Sequence, residues 1–317
     1  MHGRIPPAFA VIGEAILDLV APADDGAITA RPGGSPLNVA VGLARLGQPT
    51  AFVGRMSNDP IGTLLRHHLD RSRVDLRHLV YSSDPSTVAL VELSAGQARY
   101  QFSTRSADFQ WSWAELAFLP GDATAVHFGS LAAWVPPGDS AIATQIGRLR
   151  REGTVLISYD PNVRPALLPD ATAARHKVEQ SVGLAHVVKA SADDLQWLYQ
   201  DEPADAIAGR WLDSGAALVV ITRGADGATA WTEGRPPVTR PALPARVVDT
   251  VGAGDAFMSG LLDGLARRGL LSPAAVAELR DAAALTGILH DAAQIATITV
   301  GRAGADPPWR GELDALR

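Results

Sequence analysis

Along the 317-residue chain, short runs of apolar and β-branched residues alternate with longer stretches of helical periodicity. The strand-like runs are Phe9–Gly13, Ala51–Gly54, Ala125–Gly129, Val155–Tyr159, His186–Ala190, Ala217–Thr222 and Ala228–Thr232. Between them, helical patterns span Leu37–Leu46, Ile61–Leu69, Asp139–Arg151, Ala171–Val182, Ala192–Tyr199 and Ala204–Leu212. A strand apolar on both faces must be covered on both, and a chain that returns through a helix lays its next strand parallel. The pattern therefore predicts an α/β fold, a three-layer αβα sandwich around a mostly parallel sheet. Helices at Ala253–Arg268 and Pro273–His290 close it.

Two segments break the alternation. Thr87–Leu93 and Ala98–Ser103 are strand-like runs joined by Ser94-Ala95-Gly96-Gln97, a hairpin with no helix between its strands. Ala15–Ala30 is also strand-like and ends at the turn Arg31-Pro32-Gly33-Gly34. These insertions, at about 14–34 and 86–110, either fold together as a small β lid or stand as separate surface hairpins. No repeat, low-complexity tract or linker divides the chain, so one domain over 1–317 is expected.

Composition removes whole classes of chemistry. Cysteine is absent, which excludes disulfide frameworks, thiolate nucleophiles, thiolate zinc sites and iron–sulfur clusters. The net charge is −6 and the cations form no basic run, which argues against nucleic acid as a partner. No stretch of about 18 uninterrupted apolar residues marks a membrane span. The opening residues lack the form of a signal peptide, so a cytoplasmic location is expected. Neither lysine, Lys177 nor Lys189, follows a glycine, so there is no Walker A loop. GxGxxG, HExxH and GxSxG are missing as well, against a dehydrogenase, a zincin and a serine hydrolase. The eight histidines have no metal-ligand spacing, and Trp111 and Trp113 read as packing.

Four segments carry candidate chemistry. In VVDTVGAGDAFMSGLL, an apolar strand end runs through Gly252-Ala253-Gly254 into a helix. Exposed backbone N–H groups and the helix dipole make such a start an anion site. Asp255 in the first turn is either a helix cap or, beside a bound phosphoryl group, a base for an attacking hydroxyl. Asp249 just upstream favours charge handling over capping alone. In RPGGSPLNVAVGLARLG, Gly33 and Gly34 permit close backbone approach, and Asn38 offers a donor and an acceptor on an apolar helix start. A polyol site and a locally satisfied turn both fit. SYDPNVRP brings Asp160, Asn162 and Arg164 to a strand end, where ligands bind in open α/β sheets, although ordinary loop solvation would also use them. VITRGADG ends a strand with Thr222, Gly224 and Gly227, a nucleotide-side loop or a plain β-turn.

These residues resemble the ribokinase-like sugar kinases of the phosphofructokinase B type. GGSPLNVAVGLARLG is similar to that family's N-terminal signature and DTVGAGDAF to its C-terminal one. SYDPNVRP, VKASADDL, VVITRGADG and GRAGADPPW fall in the family's order between and after them. The resemblance implies an ATP-dependent, magnesium-assisted kinase with a β lid; an exposed lid sheet could also pair with the lid of a second copy, as a homodimer. It implies Asp255 as general base and the amides of Gly252, Ala253 and Gly254 as the hole for the transferred phosphoryl. Asp18, Gly33, Gly34 and Asn38 would hold sugar hydroxyls. Thr222, Gly224 and Gly227 would lie along ATP, with the stretch after about Thr286 bordering adenine. Asp249 and the backbone of Val251, Arg302 and Gly304 match a monovalent-cation shell, for K+.

One departure stands out. Many members carry Asn-x-x-Glu where this chain has Ser191-Ala192-Asp193-Asp194, so a shorter acid, Asp194, would meet magnesium through water. Within the family the signatures look most like fructokinases. A 2-keto-3-deoxygluconate kinase shares the DxNxR element, but the expected tyrosine-tyrosine-arginine run after the hairpin is missing, with Arg105 nearby. A non-catalytic sugar- or nucleotide-binding relative would have lost the base or the glycines, and both are intact here.

Overall fold

The computed structural model describes residues 8–21, 27–94, 97–103, 106–116, 123–168 and 170–315. The first strands in chain order are β1 (Phe9–Ile12), β2 (Ile16–Ala21), β3 (Thr29–Gly33), β4 (Thr50–Val53), β5 (Arg55–Ser57), β6 (Val80–Ser82), β7 (Val88–Ser94) and β8 (Gln97–Phe102). There follow β9 (Ala125–Gly129), β10 (Leu156–Asp160), β11 (Val187–Ser191), β12 (Leu218–Thr222), β13 (Ala228–Thr232) and β14 (Val238–Arg240). Among the described residues, eight of them make one sheet in the order β14-β13-β12-β11-β10-β9-β1-β4. The pairs from β4 through β12 are parallel, and β13 and β14 add an antiparallel edge.

Strict alternation along each central strand divides the core between the two faces. On β1, Phe9 and Val11 join one apolar cluster with Leu37, Phe52, Met258 and Leu289. Ala10 and Ile12 join the other with Phe128, Ile146, Ile157 and Trp211. Each such large side chain removed from water contributes roughly 1.5–3 kcal/mol, and the two-sided burial is why these strands read as continuous apolar runs.

The two β insertions form a second sheet, ordered β3-β2-β7-β8. Antiparallel β2–β3 and β7–β8 are joined by the parallel pairing of β2 with β7, Leu17 opposite Val88 through Ala21 opposite Glu92. This sheet connects to the core through Gly13–Ala15 on one side and through Gly34 on the other, where helix α1 (Ser35–Arg45) begins.

The C-terminal helices differ from the sequence expectation. Pro273–His290 is two helices, Pro273–Ala277 and the longer Ala282–Val300. The break follows from capping. The Ser272 hydroxyl accepts from the Ala275 N–H at 3.1 Å, and the Asp281 carboxylate accepts from the Ala283 N–H at 2.8 Å, so each starts its own helix. By length and composition Ala282–Val300 is apolar enough to cross a membrane, yet its Leu285, Ile288, Leu289, Ala292 and Ile295 are buried in this fold.

We label as α2 the helix Ala253–Ala266 and as α3 the helix Ala282–Val300. Helix α2 is gripped from two sides by small residues. A Cβ on Gly42 of α1 would lie 2.7 Å from the Ser259 Cβ, and one on Gly260 would lie 2.7 Å from the Ala292 Cα of α3. The three helices therefore touch at backbone distance, and the start of α2 is fixed against the start of α1. Gly42→Val is expected to lower stability by about 1–3 kcal/mol through overpacking. Gly209→Ala, in the helix Ala204–Asp213 with no atom within 4 Å of the new methyl, should instead raise it by about 0.5–1 kcal/mol. Denaturant unfolding of both variants checks the contrast.

Candidate active site

The ends of β1, β9, β10, β11 and β12 open onto one polar cavity of about 350 Å³ beneath the small sheet. Its lining includes Asp18, Gly34, Asn38, Asn162, Arg164, Ser191, Asp194, Gly252, Gly254 and Asp255, so the strand ends gather most of the sequence-nominated residues. Gly252 ends the preceding loop in the left-handed region, with φ 74°, where glycine is favoured. A Cβ there would fall 2.9 Å from the Ala305 Cα. From this turn α2 starts, and Asp255 is carried on its first turn.

Asp255 does not cap its own helix. Its Oδ1 accepts from the Ser35 hydroxyl at 2.6 Å and its Oδ2 from the Asn38 Nδ2 at 2.8 Å, all three groups being buried. Two helix N-termini, of α1 and α2, thus converge on one carboxylate. The Asn38 Oδ1 is buried and has no partner among the described residues, an acceptor left over for a hydroxyl. Ser35 was not singled out in the sequence, where a serine between Gly34 and Pro36 reads as a helix start and nothing more.

Opposite stands Asp18 on β2. Across the ladder, Gly33 lies so close that a Cβ would be 2.7 Å from the Asp18 Cγ, which makes glycine the residue this pairing accepts. Removal from water pushes the Asp18 carboxyl up to about 6, with the Arg164 charge working against that rise and the Asp255 charge adding to it. Arg164 also donates to the carbonyls of Asn162 and Val163 at 3.3 and 3.0 Å. The Asn162 Nδ2 donates to the Ser130 Oγ at 3.3 Å, and both residues hold positive φ, 42° and 54°. Arg105 lies outside the described residues.

Two further groups line the cavity that the sequence did not nominate. Glu14, directly after β1, is fully buried; its Oε2 accepts from the Ala132 N–H at 3.0 Å and its Oε1 has no partner among the described residues. Burial pushes its carboxyl up to about 7. Lys189 on β11 is buried and donates to the Asp160 Oδ2 at 2.7 Å. Burial alone would lower its pKa, but the charge and hydrogen bond of Asp160 together with the charges of Asp194 and Asp255 outweigh that and hold it above its ordinary value. Its Nζ lies 3.1 Å from where a Cβ on Gly254 would be, directly under the glycine turn.

A second cavity, of about 590 Å³ and mostly apolar, adjoins the first and shares Thr222, Gly224, Thr250 and Gly254 with it. Gly227, Pro244, Val247 and Phe257 line it, and α3 contributes Ala293, Ala296, Thr297 and Val300 from the stretch beyond Thr286. Ser191 and Asp194 line the polar cavity in a capping box of the helix Ala192–Tyr199: the Asp194 Oδ2 accepts from the Ser191 N–H at 2.9 Å and from its hydroxyl at 2.7 Å. The Asp194 Oδ1 accepts from the Val163 N–H at 2.8 Å, so the shorter acid also ties the loop after β10 in place. Asp249 stands outside both cavities. It accepts from the Val251 and Gly304 N–H groups at 3.0 and 2.8 Å, while the Arg302 side chain turns to Asp306 and Glu312. Among the described residues no group of three or more His, Asp or Glu is arranged to hold a metal ion.

Comparison with known proteins places this geometry. A family model described as pfkB family carbohydrate kinase matches residues 8–310. A fructokinase from Rhizobium leguminosarum bv. trifolii is 36% identical over 87% of this chain and 85% of its own. Among solved structures, the fructokinase from Xylella fastidiosa with bound ATP is similar with a TM-score of 0.88 at 27% identity, over 97% of both chains. The fructokinase from Vibrio cholerae O395 in its fructose, ADP and calcium ion bound form has a TM-score of 0.81 at 28% identity, over 94% of both.

The raised carboxyl of Asp18 fixes the sign of a pH effect. A group whose folded pKa lies above its ordinary 3.8 contributes least to stability above about 6, where both states are ionised and the folded one carries a poorly hydrated charge. Asp18→Asn should therefore raise the melting temperature of the ligand-free protein by about 2–4 °C at pH 8. That advantage should shrink as pH falls from 6 towards 4, and melting curves across this window measure it.

Proposed function

The chain belongs to the pfkB family of carbohydrate kinases and is an ATP-dependent sugar kinase; we propose that its sugar is fructose and that Asp255 is its general base. The observation that carries the second part is the position of Asp255 at the start of α2, held by Ser35 and Asn38 where the polar and apolar cavities meet. The polar cavity takes the sugar, with Asp18, Asn38 and the backbone of Gly33 and Gly34 reading hydroxyls, and Asn162 and Arg164 on the far wall. The apolar cavity takes the nucleotide, its base against α3 and its phosphates running past Thr222, Gly224 and Gly227 to the glycine turn.

In this reading the acceptor hydroxyl approaches the γ-phosphorus in line with the bond to ADP. As the new O–P bond forms and the old one breaks, Asp255 takes the hydroxyl proton. The N–H groups of Gly252, Ala253 and Gly254 meet the charge on the phosphoryl oxygens, and positioning with electrostatics supplies the rest. A magnesium ion, when bound, neutralises phosphate charge; it would arrive with the nucleotide and be held through water near Asp194, in keeping with its preference for a few carboxylates plus phosphates. The small sheet, over the sugar, acts as a lid that excludes water and limits wasteful ATP hydrolysis. The names of the relatives and the fructose-bound Vibrio structure support fructose as the acceptor.

The direct test is ADP release from MgATP with a panel of fructose, other sugars and 2-keto-3-deoxygluconate. Fructose should give the highest kcat/KM, a preference for the sugar acid would overturn fructose, and no release with any member would overturn the kinase. Asp255→Asn keeps the shape but cannot take the proton, so kcat should fall at least about a hundredfold. Its melting temperature should stay near wild type. Asn38→Ala removes both a sugar contact and a donor to Asp255. It should raise the sugar KM about tenfold and lower kcat as well, leaving the ATP KM nearly unchanged, at roughly 1–3 kcal/mol for the buried polar partner lost.

A further inference from the structure

We infer that Arg31 supplies the positive charge at the Asp249 loop, so that this kinase works without a monovalent cation bound there. The inference rests on the kinase reading above. It starts from a misfit between the loop and the cation shell that the resemblance implies. An alkali ion is held by oxygen atoms that replace its water. Here the groups converging on the Asp249 carboxylate are donors: the Val251 N–H at Oδ1, and at Oδ2 the Gly304 N–H together with the Arg31 Nη1 at 3.5 Å. The Gly304 carbonyl, for its part, already accepts from the Asp306 N–H at 2.9 Å.

The space is shaped to the arginine. Gly304 is in the left-handed region with φ 76°, and a Cβ on it would lie 2.8 Å from the Arg31 Nη1 and 3.3 Å from its Cδ. The loop therefore leaves room for a guanidinium where any other residue at position 304 would intrude. Arg31 reaches this place from β3, where it pairs directly with Asp18 across the ladder. Its charge thus spans from the strand beside the sugar cavity to the segment that leads, three residues later, into Gly252. The pair is partly exposed, with 36% of the Arg31 side chain and 26% of the Asp249 side chain accessible, so its effect is modest in size.

The test uses the full chain with MgATP and its best sugar, at constant ionic strength in choline, sodium or potassium chloride. Wild type should keep kcat/KM within about twofold across the three salts, and its melting temperature should not depend on which cation is present. Arg31→Ala in choline should lose about two- to fivefold, the span of a partly exposed ion pair. Millimolar guanidinium or potassium should restore activity and raise its melting temperature, whereas Arg31→Lys, which keeps the charge, should behave as wild type. A wild type that needs potassium for most of its activity overturns the inference, and so does an Arg31→Ala variant indifferent to every cation. If no salt gives ADP release, the kinase reading itself fails, and the cation dependence of the two melting temperatures still decides the role of Arg31.

Discussion

The contact on which the site depends is the pair of hydrogen bonds from Ser35 and Asn38 to Asp255. They join residues 220 and 217 positions apart and lock the N-termini of two helices face to face. Such a junction needs the helix axes to approach closely, and Gly42, Ser259, Gly260 and Ala292 provide that approach by leaving no bulk between α1, α2 and α3. Packing thus sets the electrostatics. With both oxygens engaged by donors, the carboxylate has a fixed direction at the wall of the polar cavity.

The polar cavity is lined by far more acids than bases. Glu14, Asp18, Asp193, Asp194 and Asp255 face it, with Lys189 and Arg164 as the cations. Burying so much negative charge is unfavourable unless each carboxylate finds donors or a partner charge. Asp194 finds them in the capping box, Asp255 in α1, and Asp160, buried behind the cavity, in Lys189. Burial nevertheless pushes the Glu14 and Asp18 carboxyls up to about 7 and 6, and Asp160 up to about 6 even beside Lys189. This is the pattern of a site that gives up stability to present unsatisfied polar groups to a ligand.

The architecture was readable because strands buried on both faces write themselves as apolar runs, and the helices between them as periodic ones. Strand ends were less so: Asp160 and Ser191 belong to β10 and β11 although both are polar, because Asp160 is buried against Lys189 and Ser191 lines the cavity. The break before Ala282 carries neither proline nor glycine at 278–281, and only the Asp281 cap reveals the new start. Around the cavity, the motif residues came together, but Ser35, Glu14 and Lys189 were not nominated. For Lys189 a signal existed, a single lysine inside the apolar run of β11, since a charge on a central strand is buried and needs a partner. For Ser35 none did, because its partner lies at the other end of the chain.

The two sheets divide the labour unequally. Asp18 and Gly33 sit on the four-stranded sheet, whereas the glycine turn and Asp255 belong to the core, and Gly13–Ala15 and Gly34 are the seams between them. Variation at Ile16, Asp18 and Phe102 can redraw one wall of the polar cavity while the glycine turn stays as it is. A lineage of such sugar kinases can therefore diversify its diet by editing one small sheet, leaving the helix junction behind it untouched.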